Sequence, residues 1–149
     1  MAYGSSSPSR KDDICDQASP GKPIDPLAEV TILVCNTCRL QSEPHLDPRP
    51  GSVLAQNAIA AGAEAGVNVL SVGCLGNCKR GLSAAILRKG SWSYVFGGLN
   101  PGSADDLVSG AKVFAASNDG FMPFRERPEA LKRGLIARIP TFDSLKDLP

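Results

Sequence analysis

The sequence predicts an α/β domain, a mixed sheet of about four strands with helices packed on it. Two observations lead there. Two short β-branched runs, residues 29–34 and 67–72, are separated by a single helical stretch. A tight pair of strands and a second helix follow them. A third observation places function on that frame. Each of the first two runs leads into a close pair of cysteines, Cys35 with Cys38 and Cys74 with Cys78, with 35 residues between the inner two.

Residues 1–27 read as a disordered leader, because Ser, Pro, Asp, Lys and Gly dominate and no apolar period emerges. Cys15 lies in that leader and is read as a lone exposed thiol outside any site. Residues 28–149 form the folded domain, opened by strand 29–34. The stretch 39–50 is a polar loop punctuated by Pro44, Pro48 and Pro50. A helix over 51–65 carries a thin stripe of Leu54, Ala58, Ala61 and Ala65, with Gly66 as its stop. Such small residues let a helix lie close on a sheet. Strand 67–72 follows at once, completing a βαβ unit with a right-handed crossover. Parallel neighbours of this kind bring both cysteine pairs to one end of the sheet.

Beyond Cys78 the pattern changes to a hairpin, residues 83–87 and 91–96 joined through 88–90, with Trp92, Tyr94 and Phe96 alternating onto one face. Ser103 followed by Asp106 imitates a capping box and announces a helix over 104–117. Its buried stripe is Leu107, Ala111, Phe114 and Ala115. The segment 121–149 is a C-terminal extension, with Pro128 at a helix start and Gly134 past its end. Phe121, Phe124, Leu131, Leu135, Ile136 and Ile139 are expected to fold back on the domain, while Arg125, Arg127, Arg133 and Arg138 face water. The resulting β-α-β-β-β-α order suits a thioredoxin-like sandwich.

Composition narrows the function. A chain of 149 residues that is 42% hydrophobic and 21% charged has the make-up of one soluble domain. A net charge of +1 argues against a nucleic-acid partner. No run is long enough to span a bilayer, and the first residues lack a secretory pattern. A cytoplasmic location is therefore expected, where close cysteine pairs serve metal or redox chemistry more often than disulfides.

Iron and zinc both take thiolate ligands, so four cysteines on two loops can wrap a small inorganic centre. The 74–78 loop fits this well. Gly76 permits an unusual backbone angle and Asn77 tolerates left-handed geometry, so the loop can turn N–H groups toward sulfur. Lys79 and Arg80 follow, where they would offset the negative charge of thiolates and sulfides. Three readings stay open: a [2Fe–2S] cluster, a mononuclear zinc or cobalt ion on the same thiolates, and thiol–disulfide exchange through Cys35 and Cys38. Against zinc, neither pair sits in a small knuckle and the domain has its own core. Against exchange, a thioredoxin-type pair opens a helix, and 39–50 is too rich in proline for one. His45, the one histidine, is read as solvated in its loop. Paired catalytic carboxylates, a nucleophile with its base and a phosphate loop are missing from the pattern; Asp105 and Asp106 suit a helix N-terminus, and Gly97-Gly98 a turn. An electron carrier or metal-binding protein is expected, not an enzyme.

The spacing Cys-x2-Cys, 35 residues, Cys-x3-Cys on this element order resembles the thioredoxin-like [2Fe–2S] ferredoxins. Their second pair is also Cys-x3-Cys, which maps onto Cys74 and Cys78; their first pair, mapping onto Cys35 and Cys38, is more widely spaced. The phrases around 34–39, 74–80, 92–97 and 125–128 also look like a family of small bacterial proteins described as a domain of unknown function and predicted metal-binding protein, often encoded near cobalamin or cobalt genes. These resemblances imply a [2Fe–2S] electron carrier with Cys35, Cys38, Cys74 and Cys78 as ligands and Gly76, Asn77, Lys79 and Arg80 around them. They also imply a protein redox partner, with cobalt or corrin chemistry as its setting, and a homodimer.

Overall fold

The computed structural model describes residues 25–147; residues 1–24, Cys15 among them, lie outside it. The leader boundary at residue 27 falls within a 3-10 turn, Pro26–Glu29, capped by the Asp25 side chain. Strand β1, Val30–Cys35, occupies the centre of the sheet. Its alternate residues Val30, Ile32 and Val34 are fully buried, as a strand with one face on the core requires. Helix α1, Pro50–Ala65, leads to β2, Asn68–Val72, which pairs parallel with β1. Gly66 ends α1 in the left-handed conformation at φ 78°, as its position predicts.

The hairpin comprises β3, Ala84–Arg88, and β4, Ser93–Phe96. Strand β3 lies antiparallel to the other side of β1. Helix α2, Ala104–Ala116, packs beside α1 over β1 and buries Leu107, Ala111, Phe114 and Ala115 as expected. The thioredoxin-like expectation agrees with this mixed sheet, in which β1 has a parallel neighbour on one side and the antiparallel hairpin on the other. No described helix is long and apolar enough to cross a membrane.

The sheet has five strands, in the order β2-β1-β3-β4-β5. The additional one comes from the C-terminal extension, where the short helix α3, Glu129–Arg133, leads into β5, Leu135–Ile139, antiparallel to β4. An edge strand with half-buried and exposed residues lacks the alternation that reveals a strand in sequence. Leu131 of α3 is fully buried, so the extension contributes to the core.

Two local expectations are corrected. Ser103 does not cap α2 with its side chain; its hydroxyl accepts the Asn100 N–H at 3.1 Å within the preceding turn. Arg127 does not face water. It is buried, lies over the Tyr94 ring at 5.2 Å from the centroid, and donates from Nε and Nη2 to the Met122 carbonyl at 3.3 and 2.7 Å. A buried carbonyl needs a donor, and this guanidinium is the one supplied. Arg127→Ala is expected to reduce unfolding free energy by about 1–3 kcal/mol, since it strands that acceptor. An unchanged urea midpoint would contradict this role.

Candidate metal centre

The carboxyl ends of β1 and β2 lie side by side, with Cys35 in register with Val72. The ladder continues one step past the strand: Asn36 N–H donates to Val72 O at 2.9 Å, and Cys35 N–H donates to Ser83 O at 3.0 Å on the other side. Cys35 is thereby held between the two chain segments that flank β1. It is buried, and so is Cys38.

The first loop is also closed from below by α1. Gly51 N–H donates to the Cys38 carbonyl at 3.1 Å. A Cβ at Gly51 would lie 2.7 Å from Cys35 O and 2.8 Å from Cys38 N, so only glycine allows the helix to meet the loop this closely. Nothing in the sequence marks Gly51 beyond a glycine at a helix start. Thr37 ties the first loop to the second: its hydroxyl donates to Gly73 O at 2.6 Å, and the Cys35 thiol reaches the same carbonyl at 3.2 Å.

The second loop carries Cys74 and Cys78, both exposed. Gly76 takes φ 77° and turns its N–H onto Cys74 Sγ at 3.3 Å, as the Gly in this loop predicts. The Cys74 and Cys78 sulfurs stand 3.7 Å apart. Asn77 departs from expectation, with an ordinary φ of −111° and a side chain that bonds Arg80 O and Ser83 Oγ rather than turning toward sulfur. Lys79 and Arg80 lie in a 3-10 turn, Cys78–Arg80, and are exposed; neither forms an ion pair among the described residues. Gln41 Nε2 donates to Lys79 O and so links the 39–49 loop to this turn. His45 is exposed in that loop.

One cysteine of each pair, Cys38 and Cys78, lines a cavity of about 240 Å³ together with Leu40 and Pro44. Among the described residues no group of three or more His, Cys, Asp or Glu side chains stands close enough to hold a metal ion. The fold brings the four thiols into one neighbourhood as two pairs, without gathering them on one point. Their titration reflects these surroundings. Burial pushes the Cys35 thiol up, but hydrogen bonds from Thr37 and Cys38 and from the Leu75 and Thr37 N–H groups outweigh it, leaving the pKa lowered. Burial, with the nearby Cys35, pushes Cys38 up to about 11. Cys78 is raised by its hydrogen bond with Cys74 and by the charge there.

The Cys74–Cys78 pair alone has the spacing of two ligands on one metal. Two thiolates about 2.3 Å from one tetrahedral metal stand roughly 3.8 Å apart, close to the observed Cys74–Cys78 separation. Fold and site together define a thioredoxin-like α/β domain with two cysteine pairs at the end of two parallel strands. The chain belongs to the family described as "Protein of unknown function (DUF1636)", which matches residues 32–141. A comparison with curated proteins finds no match. Among solved structures the chain is similar to a thioredoxin-like [2Fe–2S] ferredoxin from Aquifex aeolicus, at 15% identity over 74% of this chain and 93% of that one, with a TM-score of 0.47. The functional reading rests on the cysteines of this chain.

Their unequal burial has a direct consequence. In the native reduced protein a bulky maleimide is expected to modify Cys74 and Cys78 first, and Cys35 and Cys38 only on unfolding. Gly51→Ala should open the first loop and expose Cys38, at a stability loss of about 1–3 kcal/mol from the introduced clash. Peptide mass spectrometry checks both; equal labelling of the four thiols would contradict the geometry.

Proposed function

We propose that the protein is a small electron carrier that holds a [2Fe–2S] cluster through Cys35, Cys38, Cys74 and Cys78. The observation that carries this reading is the placement of two cysteine pairs at one end of the sheet, with a backbone N–H donated to Cys74 Sγ. When bound, such a cluster supplies one-electron exchange. The chain would do the rest. Cys35 and Cys38 lie on the core side, fixed by β1 and α1, while Cys74 and Cys78 lie on an exposed loop. Hydrogen bonds to sulfur stabilise added negative charge, and Lys79 and Arg80 flank the exposed side. A protein redox partner would approach there, and by the family resemblance we place it in cobalt or corrin chemistry.

A second reading, one zinc or cobalt ion on the same thiolates, is favoured by the Cys74–Cys78 separation, which a single tetrahedral metal also imposes. Thiol exchange through Cys35 and Cys38 is less well supported, because an attacking sulfur must be accessible and both are buried.

Anaerobic purification separates the readings. A brown protein with about two irons and two sulfides per chain is the expected result. Serine at position 35, 38, 74 or 78 should abolish the colour, and Cys15→Ser should leave it unchanged. A colourless protein with one tightly held zinc would sink the cluster and support the second reading.

A further inference from the structure

Thiol exchange needs an accessible sulfur with a second one beside it. The buried pair fails the first condition, and the exposed pair meets both. Cys74 and Cys78 are exposed, and their sulfurs stand 3.7 Å apart. Between them Gly76 takes φ 77°, a left-handed turn that brings the two ends of the loop round to each other. A Cβ at Gly73 or Gly76 would meet nothing within 4 Å, so no other part of the chain crowds the loop backbone there. Both ends of the loop are tied down. Gly73 O takes the Thr37 hydroxyl at 2.6 Å, and the Asn77 carboxamide donates to Arg80 O at 3.3 Å and Ser83 Oγ at 3.1 Å. Closing the sulfurs on one another is therefore a movement within the loop. Apart from the Gly76 N–H on Cys74 Sγ, each of these sulfurs has only the other as a hydrogen-bond partner among the described residues. A dithiol couple needs two adjacent sulfurs and no third group, which is what this loop supplies.

We infer that Cys74 and Cys78 form a reversible dithiol–disulfide couple that exchanges with small disulfides of the glutathione class. One cysteine, its proton given to solvent, attacks the small disulfide. A bond forms between the protein sulfur and one ligand sulfur, the ligand's own S–S bond breaks, and one small thiolate leaves. The second cysteine, also deprotonated, attacks the protein sulfur of that mixed disulfide. The Cys74–Cys78 bond forms and a second small thiolate leaves. The two thiolates take up the two protons, so the cysteine pair is oxidised by two electrons and the small disulfide is reduced to two thiols. Lys79 and Arg80, exposed directly after the loop, suit the carboxylates of such a ligand. The inference does not rest on the four-thiolate reading. It sets a limit on it, because sulfurs joined in a disulfide are no longer thiolate ligands.

The test uses reduced full-length protein freed of metal by a chelator and incubated anaerobically with glutathione disulfide. The protein is then unfolded, alkylated and digested with trypsin. Peptide 40–79 holds Cys74 and Cys78 and no other cysteine, while Cys35 and Cys38 lie in peptide 12–39. Peptide 40–79 is expected to lose both alkylation sites and to weigh two hydrogens less than its dithiol form, and a reductant should restore both. Cys35 and Cys38 should remain alkylated. In Cys78→Ser the mixed disulfide should persist on Cys74, since no second thiol resolves it. Two free thiols in peptide 40–79, a glutathione adduct that persists there in the wild type, a bond joining the two peptides, or equal oxidation of Cys35 and Cys38 overturns the inference. A protein that carries the cluster and gives one of these results loses this inference alone. A colourless protein that closes the Cys74–Cys78 bond keeps it and loses the cluster.

Discussion

The structure depends on the placement of β1 between a parallel and an antiparallel neighbour. The hydrogen bonds from Cys35 N–H to Ser83 O and from Asn36 N–H to Val72 O are the last rungs of those two ladders. They fix where β1 stops, and hence where the first cysteine pair stands relative to the second loop and to β3. A slip of one residue in either register would turn Val30, Ile32 and Val34 out of the core. The core therefore sets the geometry of the thiols. The site is placed by burial of apolar residues at some distance from it.

The two cysteine pairs are physically different. The first is built into the domain, with Cys35 and Cys38 buried, α1 pressed against the loop at Gly51, and Thr37 tied to Gly73. The second is an exposed loop, with Gly76 N–H on Cys74 Sγ and the Asn77 side chain on Arg80 O and Ser83 Oγ. Burial favours the neutral thiol at Cys38. Ser83 enters β3 directly beside the end of β1, where its carbonyl takes the Cys35 N–H.

The C-terminal extension shows how far local pattern can mislead. Leu135–Ile139 lacks strict alternation, because an edge strand packs on one neighbour only and leaves part of each face in water. Its partner β4 ends about 40 residues earlier in the chain, a pairing that local reading cannot detect. Arg127 looked like one solvated arginine among four. What distinguishes it is the Met122 carbonyl, buried without another donor, and the Tyr94 ring beneath its guanidinium. Ser103 carried a helix-cap signature but found a nearer donor in Asn100. In each case a long-range or competing contact outweighed a correct local tendency.

The sequence by itself determined the α/β class, β1 through α2 to within a few residues, and the two cysteine pairs with the glycine that turns an N–H onto sulfur. Those features follow from periodicity, turn chemistry and the thiol's affinity for metals, which are local properties of the chain. The tertiary structure alone decided that one pair is buried and the other exposed, and that Gly51 must lack a side chain. It also decided that Ser83 takes the Cys35 N–H on its carbonyl and the Asn77 carboxamide on its hydroxyl. These are meetings of segments far apart in sequence, with Cys35 and Ser83 on opposite sides of α1 and β2. Packing of the sheet and helices brings them together, and no spacing within the chain encodes the contact.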